Sequence, residues 1–330
     1  MKNSLKLTLL LLLGIFIIII SISLGSTFIS PLKLISTLVS DNNNKLIEYQ
    51  IILNIRLPRI LMALIIGASL SVSGAIFQAI LKNPLSDPLI IGVSGGAALG
   101  ATIAIVLSMP YFYITLFALI GSIAIISFLY FISTKRLLGS TSLILSGIAL
   151  SFILQAGILL IFTLAKSEDV HKAMFWLMGD MSLARFSELW KMGIFSCILI
   201  LLSMTFYKQL NIISFGERFA KNLGINERDI RNIFLIASLL TAISVTLAGV
   251  IGFIGLIIPH VMRYIFGSNH LRLVPVSAIG GALFLMISDT IGRSIVPPYE
   301  IPVGIITGFI GGAFFLLLLF RKGLSRNDPF

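Results

Sequence analysis

Charge is what this chain has least of. Only 11% of its 330 residues are Asp, Glu, Lys or Arg, against roughly 25% in an ordinary soluble domain. Acidic residues are the rarer part, 13 against 24 Lys and Arg, for a formal charge of +11. A water-soluble fold of this length needs a polar surface that these residues cannot make. The single cysteine, Cys197, lies in an apolar segment and excludes an intramolecular disulfide. The three histidines (His171, His260, His270) are too scattered for a metal-ligand cluster, so no metal is expected. No Gly-x-x-x-x-Gly-Lys-Ser/Thr phosphate loop occurs, which excludes an ATPase of that type. No long hydrophilic stretch leaves room for a soluble domain, so 1–330 reads as one transmembrane domain.

What is present is hydrocarbon. Apolar residues make up 57% of the chain and mean hydropathy is +1.07. Segments long enough to span a bilayer lie at about 5–24, 57–81, 89–108, 111–134, 141–165, 188–207, 230–250, 271–292 and 302–320. The first, behind Lys2 and Lys6, resembles a signal peptide but has no Ala-x-Ala-like cleavage site, and reads as a retained helix. Residues 232–259 form one overlong apolar run containing Gly249, Gly252 and Gly255 and ending at Pro259-His260. A break there makes a tenth, short helix.

Basic residues test the count. With ten spans and both termini cytoplasmic, 15 Lys and Arg fall inside and 9 outside, which obeys the positive-inside rule. Nine spans would strand the basic C-terminus outside. The basic excess thus belongs to cytoplasmic loops, and nucleic acid is not an expected partner. The fold class is all-α, a polytopic protein of about ten transmembrane helices in the lipid bilayer.

Two polar stretches interrupt the hydrocarbon. Residues 25–55, with the run Asp41-Asn42-Asn43-Asn44, read as an external loop. Residues 208–231 form the largest cytoplasmic loop. Phe215, Phe219 and Leu223 recur in it at i, i+4, i+8, as on an amphipathic helix. Gly224 is placed to end that helix with a positive φ, and Asn226 to cap the next. Its apolar face requires burial, against its own membrane domain or against a partner. Asn83-Pro84 and Asp87-Pro88 bracket a tight reversal, with Asp87 able to cap the third helix and Pro88 at its first position. Gly304, Gly308 and Gly312 line one face of the last helix, and Gly92, Gly96 and Gly100 repeat the spacing on the third, as in tight helix packing.

Three blocks carry a family resemblance. They are RLPR…GASLSVSGAIFQAILKNPLSDPLIIGVSGGAALGA (56–101), FGERFAKNLGI (215–225) and AGVIGFIGLIIPHVMR…ISDTIGR…EIPVGIITGFIGGAFFLLLLFR (248–321). Together they resemble the permease subunits of bacterial ABC importers (type II) for iron–siderophore complexes, haem and cobalamin. Gly312-Ala313 departs from the Gly-x-Pro-Phe pattern of many relatives. The resemblance implies a homodimer of ten-helix subunits with a central pathway in the bacterial cytoplasmic (inner) membrane. Two ABC ATPase subunits would dock on the inside, and a substrate-binding protein outside. ATP and magnesium would sit on the ATPase, leaving this chain without a cofactor. Iron–siderophore is the leading substrate, ahead of haem and cobalamin.

Residue roles follow from the same resemblance. Arg56, Arg59 and Arg293 match positions that meet acidic residues of the binding protein; interface anchoring, or an internal Asp289–Arg293 pair at i, i+4, is the alternative. Phe215, Gly216, Glu217, Arg218, Ala220, Leu223 and Gly224 match the segment, within about 208–229, that couples to the ATPase. Asn83, Pro84, Asp87 and Pro88 read as a structural turn, with ATPase contact the lesser reading. Gly304, Gly308 and Gly312 read as packing, with a place on the pathway as the alternative. The rival class is a proton-coupled secondary transporter using His260, Asp289 and Glu300 as a relay.

Overall fold

The computed structural model describes residues 2–25, 27–30, 47–134, 140–182 and 186–324, which are helical with short connections. The helices are α1 (Lys2–Ser23), α2 (Leu57–Leu81), α3 (Val93–Val106), α4 (Tyr111–Thr134), α5 (Ser140–Leu164), α6 (Ser167–Leu177) and α7 (Phe186–Thr205). They continue as α8 (Tyr207–Ile213), α9 (Glu217–Asn222), α10 (Glu227–Ala248), α11 (Ile254–Phe266), α12 (His270–Ser294) and α13 (Val303–Leu324). The ten apolar segments all fall on helices. Among the described residues, six are long and apolar enough to cross a bilayer, or seven if α7 and α8, bent by 62°, make one span; α3, α11 and 303–318 are shorter. Helix length alone therefore does not make ten crossings.

The polar run 41–44 lies outside the described residues. The loop expected over 25–55 is corrected at its end: Ile47–Gln50 is helical and a π-helical turn, Ile51–Arg56, leads directly into α2. The apolar Ile51, Ile52, Leu53 and Ile55 extend the span instead of lying in water.

Helix α2 is the central post. It packs against α12, α10, α11 and α7, whereas α1 leaves most of its leucines and isoleucines exposed to the bilayer. A helix can be surrounded in this way only if its neighbours come close. At the α2–α12 crossing a Cβ on Gly67 would lie 2.2 Å from the Gly281 carbonyl oxygen, and one on Gly281 would lie 2.2 Å from that of Gly67. Gly74 meets Gly255 of α11 in the same way. Two polar side chains of α2, Ser73 and Gln78, make bonds inside the bundle. Ser73 Oγ lies 2.7 Å from Thr241 Oγ1 and donates to the Ala237 carbonyl at 2.8 Å.

The overlong apolar run breaks at Gly249, whose φ is +73° and whose Cβ position would fall 1.9 Å from the Trp176 carbonyl oxygen. Only glycine satisfies both demands. The apolar run ends at Pro259-His260 but the short helix does not: α11 runs through Pro259 to Phe266. Proline removes the helical donor to the Gly255 carbonyl. Gln78 of α2 supplies one instead, its Nε2 donating to Gly255 O at 3.1 Å.

Candidate functional site

At the end of the bundle where α2 begins, three arginines and two carboxylates converge. Asp289 on α12 lies between Arg59 (Nε to Oδ1, 2.8 Å) and Arg293 (Nε to Oδ2, 2.9 Å). A second nitrogen of Arg59 reaches Glu300 Oε2 at 2.5 Å, tying in the chain that leads to α13. Arg56 and Arg293 turn toward α1. Arg56 donates to the carbonyls of Ile22, Ser23 and Thr27, and Arg293 to those of Ser21 and Leu24 and to Ser21 Oγ. The last carbonyls of a helix lack partners of their own, and cations suit that negative end.

The three arginines, expected as outward-facing charges for a docking partner, are thus buried, with 3–5% of their surface exposed. Their expected free exposure is corrected. In a medium of low dielectric an unpaired guanidinium is costly, so each is held by carboxylates or backbone carbonyls. The Asp289–Arg293 pair, the alternative reading, is present. Glu300 as the second partner of Arg59 was not legible, since 241 residues separate them.

The opposite end carries the 208–231 segment. Leu210, Ile213 and Ala220 are buried, and Asn211 ties α8 to the start of α12 through the His270 backbone N–H (2.9 Å) and Asn269 Oδ1 (3.2 Å). The expected single stripe is corrected in detail. Gly216, at φ +128°, separates Phe215 from α9, which starts at Glu217. Phe215 and Phe219 still meet, with ring centroids 5.8 Å apart. Phe215 is 79% exposed, and Phe219 and Leu223 are about half exposed. Self-packing therefore does not cover these three. The side chains of Glu217 and Arg218 lie outside the described residues.

The end of α9 follows its glycine. The Gly224 N–H donates to the Lys221 carbonyl at 3.1 Å, the Ile225 N–H to that of Ala220 at 3.0 Å, and Gly224 has φ +79°. This paired closure of a helix needs a left-handed residue. Asn226 stands at the N-cap of α10 without a side-chain capping bond.

Between α2 and α3 the chain reverses as expected. Asn83 Oδ1 accepts from Leu85 N–H at 2.9 Å, and Asp87 Oδ1 from Leu89 N–H at 2.9 Å. Asp87 caps not α3 itself but a 3-10 turn, Pro88–Ile91, and Gly92 at φ +85° starts α3. Its other oxygen accepts from Phe253 N–H at 3.2 Å, holding a non-glycine residue at φ +70° in the α10–α11 break. Burial pushes the Asp87 carboxyl up to about 6, against the two backbone donors that favour the anion. A raised folded-state value means that folding favours the neutral acid. Its stabilising effect is therefore complete below 3.8 and lost as pH rises to about 6. Thermal unfolding in detergent should show wild type losing stability relative to Asp87→Asn across that interval. Parallel pH profiles would refute the assignment.

The glycine stripes divide. Gly96 and Gly100 pack against the Gly121 and Phe117 carbonyls of α4. On α13, Gly304 packs against the Met178 carbonyl, and Gly311, which the spacing argument missed, against the Phe253 ring; Gly308 and Gly312 meet nothing within 4 Å. The packing expectation for those two is corrected within the protomer. The relay residues do not chain together either. Asp289 and Glu300 are held by Arg59, and the His260 ring packs edge-on to Phe314 at 6.4 Å. Among the described residues no group of three His, Cys, Asp or Glu is placed to hold a metal.

Known proteins are similar to this chain over most of its length. The model of the FecCD transport family matches residues 11–321. The hemin transport system permease protein HmuU of Yersinia pestis is 35% identical, covering 96% of this chain and 97% of its own. The Fe(3+)-citrate import system permease protein YfmE of Bacillus subtilis is 36% identical, over 96% of each. The cobalamin import system permease protein BtuC of Halobacterium salinarum is 38% identical, over 80% of this chain and 72% of its own. A solved inward-facing ABC transporter assigned to the metal-chelate type superposes with a TM-score of 0.86 at 31% identity, over 96% of this chain and 99% of its own. With its all-helical bundle, its exposed segment between α8 and α10 and no phosphate loop of its own, the chain belongs to the FecCD transport family of ABC-importer permeases.

Proposed function

We propose that the chain is the membrane half of an importer that moves Fe3+ chelates inward, driven by ATP hydrolysis on a separate subunit. The observation that carries this is the unit 215–224. It leaves the bundle with Phe215, Phe219 and Leu223 exposed beside a fixed left-handed glycine, a shape suited to a cleft on a partner ATPase. Iron chelates lead because Fe(3+)-citrate and iron chelatin occur among the names of its relatives; haem import, supported by the Yersinia relative, stands behind them. Cobalamin import by the same architecture is the second reading, supported by the Halobacterium relative. A homodimer is the proposed assembly, and the unpacked Gly308 and Gly312 leave a smooth face on α13 for a second copy. The proposed orientation places both termini and the 215–224 unit in the cytoplasm of a bacterial cell, with a substrate-binding protein on the other side. The 15:9 distribution of basic residues supports it.

The test is reconstitution of the permease with its ATPase and binding protein in vesicles. ATP-dependent uptake should be seen for an Fe3+ chelate and fall away when the ATPase is omitted. Uptake driven by a proton gradient without ATP would overturn the proposal. Within that assay, Gly224→Val should leave ATP hydrolysis running while transport drops at least ten-fold. A β-branched residue is strained at φ +79° although the space around it is open. Gly224→Asn, which tolerates that conformation, should keep most transport. Full transport in the valine variant would remove the segment from the coupling path.

A further inference from the structure

Among the described residues, three that are not glycine hold a positive φ: Lys82, Ser108 and Phe253. The first two close helices, where such a turn is ordinary. Phe253 instead opens α11, at φ +70°, a conformation that is costly for a bulky side chain. The same stretch has glycine at 249, 252 and 255, yet the strained position carries phenylalanine. Strain of this kind persists only where the surroundings hold it, and it collects in elements that switch.

Two contacts hold it. Asp87 Oδ2, in the turn between α2 and α3, accepts the Phe253 N–H at 3.2 Å. The Phe253 ring lies against Gly311 of α13, where an added Cβ would fall 2.3 Å from Phe253 Cγ. The absent side chain of Gly311 makes the seat for the ring. The turn in its own right borders the exposed coupling unit, because Pro84 and Phe215 line one cavity of about 550 Å³.

Phe253 is also one end of a non-helical strap, 249–253. At the other end Gly249 turns at φ +73° beside the Trp176 carbonyl. There the chain after α6 is bonded to the start of α13. Val303 N–H donates to the Gly179 carbonyl and Gly304 N–H to that of Met178, each at 3.1 Å. The Val250 carbonyl closes on both, 3.2 Å from a Cβ on Gly179 and 3.1 Å from one on Gly304. Backbone meets backbone at this junction, so a shift in one segment displaces the others.

We propose that the 249–253 strap is a mechanical link, in which Asp87 and the Phe253 ring carry displacement of the 83–88 turn to α13 and to the junction with α6. Both are positioning residues that act through α13. When Asp87 lets go, Phe253 relaxes to a right-handed φ and its ring leaves Gly311. The inference rests on the importer reading only in taking the ATPase as the source of the displacement.

Hydrogen–deuterium exchange of the purified full chain in detergent tests the link apart from that reading. Asp87→Ser keeps an oxygen to cap the Leu89 N–H but has no second one for Phe253. Amide exchange should rise roughly five-fold in 249–257 and in 308–314 of α13. A rise confined to 83–91 would overturn the proposal. Phe253→Ala keeps the test valid should Asp87→Ser fold poorly, since exchange at 308–314 should rise in it too, and unchanged exchange there would overturn the link. In the reconstituted complex each variant should cut ATP-dependent uptake about ten-fold, with hydrolysis within about two-fold of wild type. The double variant should lose no more than either alone, because both break one link. Losses that multiply, or hydrolysis that falls in step with uptake, would assign the residues ordinary structural roles and overturn the proposal. A wild type without ATP-dependent uptake contradicts the importer reading, and the exchange result then decides the link alone.

Discussion

Asp289→Asn should be among the most damaging single substitutions in the chain, lowering stability by roughly 3–5 kcal/mol. Asp289 is 1% exposed and holds two guanidinium groups, Arg59 at 2.8 Å and Arg293 at 2.9 Å. Asparagine keeps the shape but not the charge. Its oxygen can serve one arginine, while its NH2 group points a donor at the other. The Arg59 side chain would keep Glu300, and Arg293 would be left with α1 carbonyls and hydroxyls that carry no net charge. The effect should be read as the midpoint of thermal unfolding in detergent. Adding Arg293→Gln should recover part of the loss, because it removes the charge left uncompensated. If Asp289→Asn melts with wild type, the cluster does not hold α1, α2 and α12 together.

Gly67→Val should be nearly as severe, for a reason of space and not of charge. The added Cβ would lie 2.2 Å from the Gly281 carbonyl oxygen, and the obstacle is backbone that no rotamer change can move aside. Helices α2 and α12 would have to separate along their crossing, which includes the Ser71–Gly281 approach. Overpacking a tight contact costs about 1–3 kcal/mol, and a backbone obstacle belongs at or beyond the upper end. Gly312→Ala is the matched control. Nothing lies within 4 Å of that position, so it should be neutral or slightly stabilising in the isolated protomer through better helix propensity. A purified Gly67→Val chain with wild-type melting would show that the two helices do not cross there.

Both substitutions sit on features that differ in how far they could be read from residues alone. The i, i+4 spacing made the Asp289–Arg293 pair legible as an alternative. Nothing local pointed Arg59 at Glu300 or Arg56 at the end of α1, and the same three arginines read as free external charges. The small residues of α2 permit close packing, but nothing local showed that Gly67 meets Gly281 or that Gly74 meets Gly255. On α13 the four-residue spacing singled out Gly304, Gly308 and Gly312; the protomer packs Gly304 but not the other two, and adds Gly311.

By itself, the sequence determined what depends on short stretches of chain. Scarce charge and long apolar runs dictate a helical membrane protein, because every backbone group in lipid must be satisfied within its own helix. A break somewhere among Gly249, Gly252, Gly255 and Pro259, the reversal at Asn83–Pro88 and the left-handed end at Gly224 follow from backbone sterics within a few residues. Only the tertiary structure decided which groups neutralise one another. In a low-dielectric interior a charge or an orphaned carbonyl takes whatever partner a neighbouring helix supplies, however distant in sequence. So Arg59 lies between Asp289 and Glu300, Gln78 replaces the donor that Pro259 lacks, and Asp87 holds the strained Phe253.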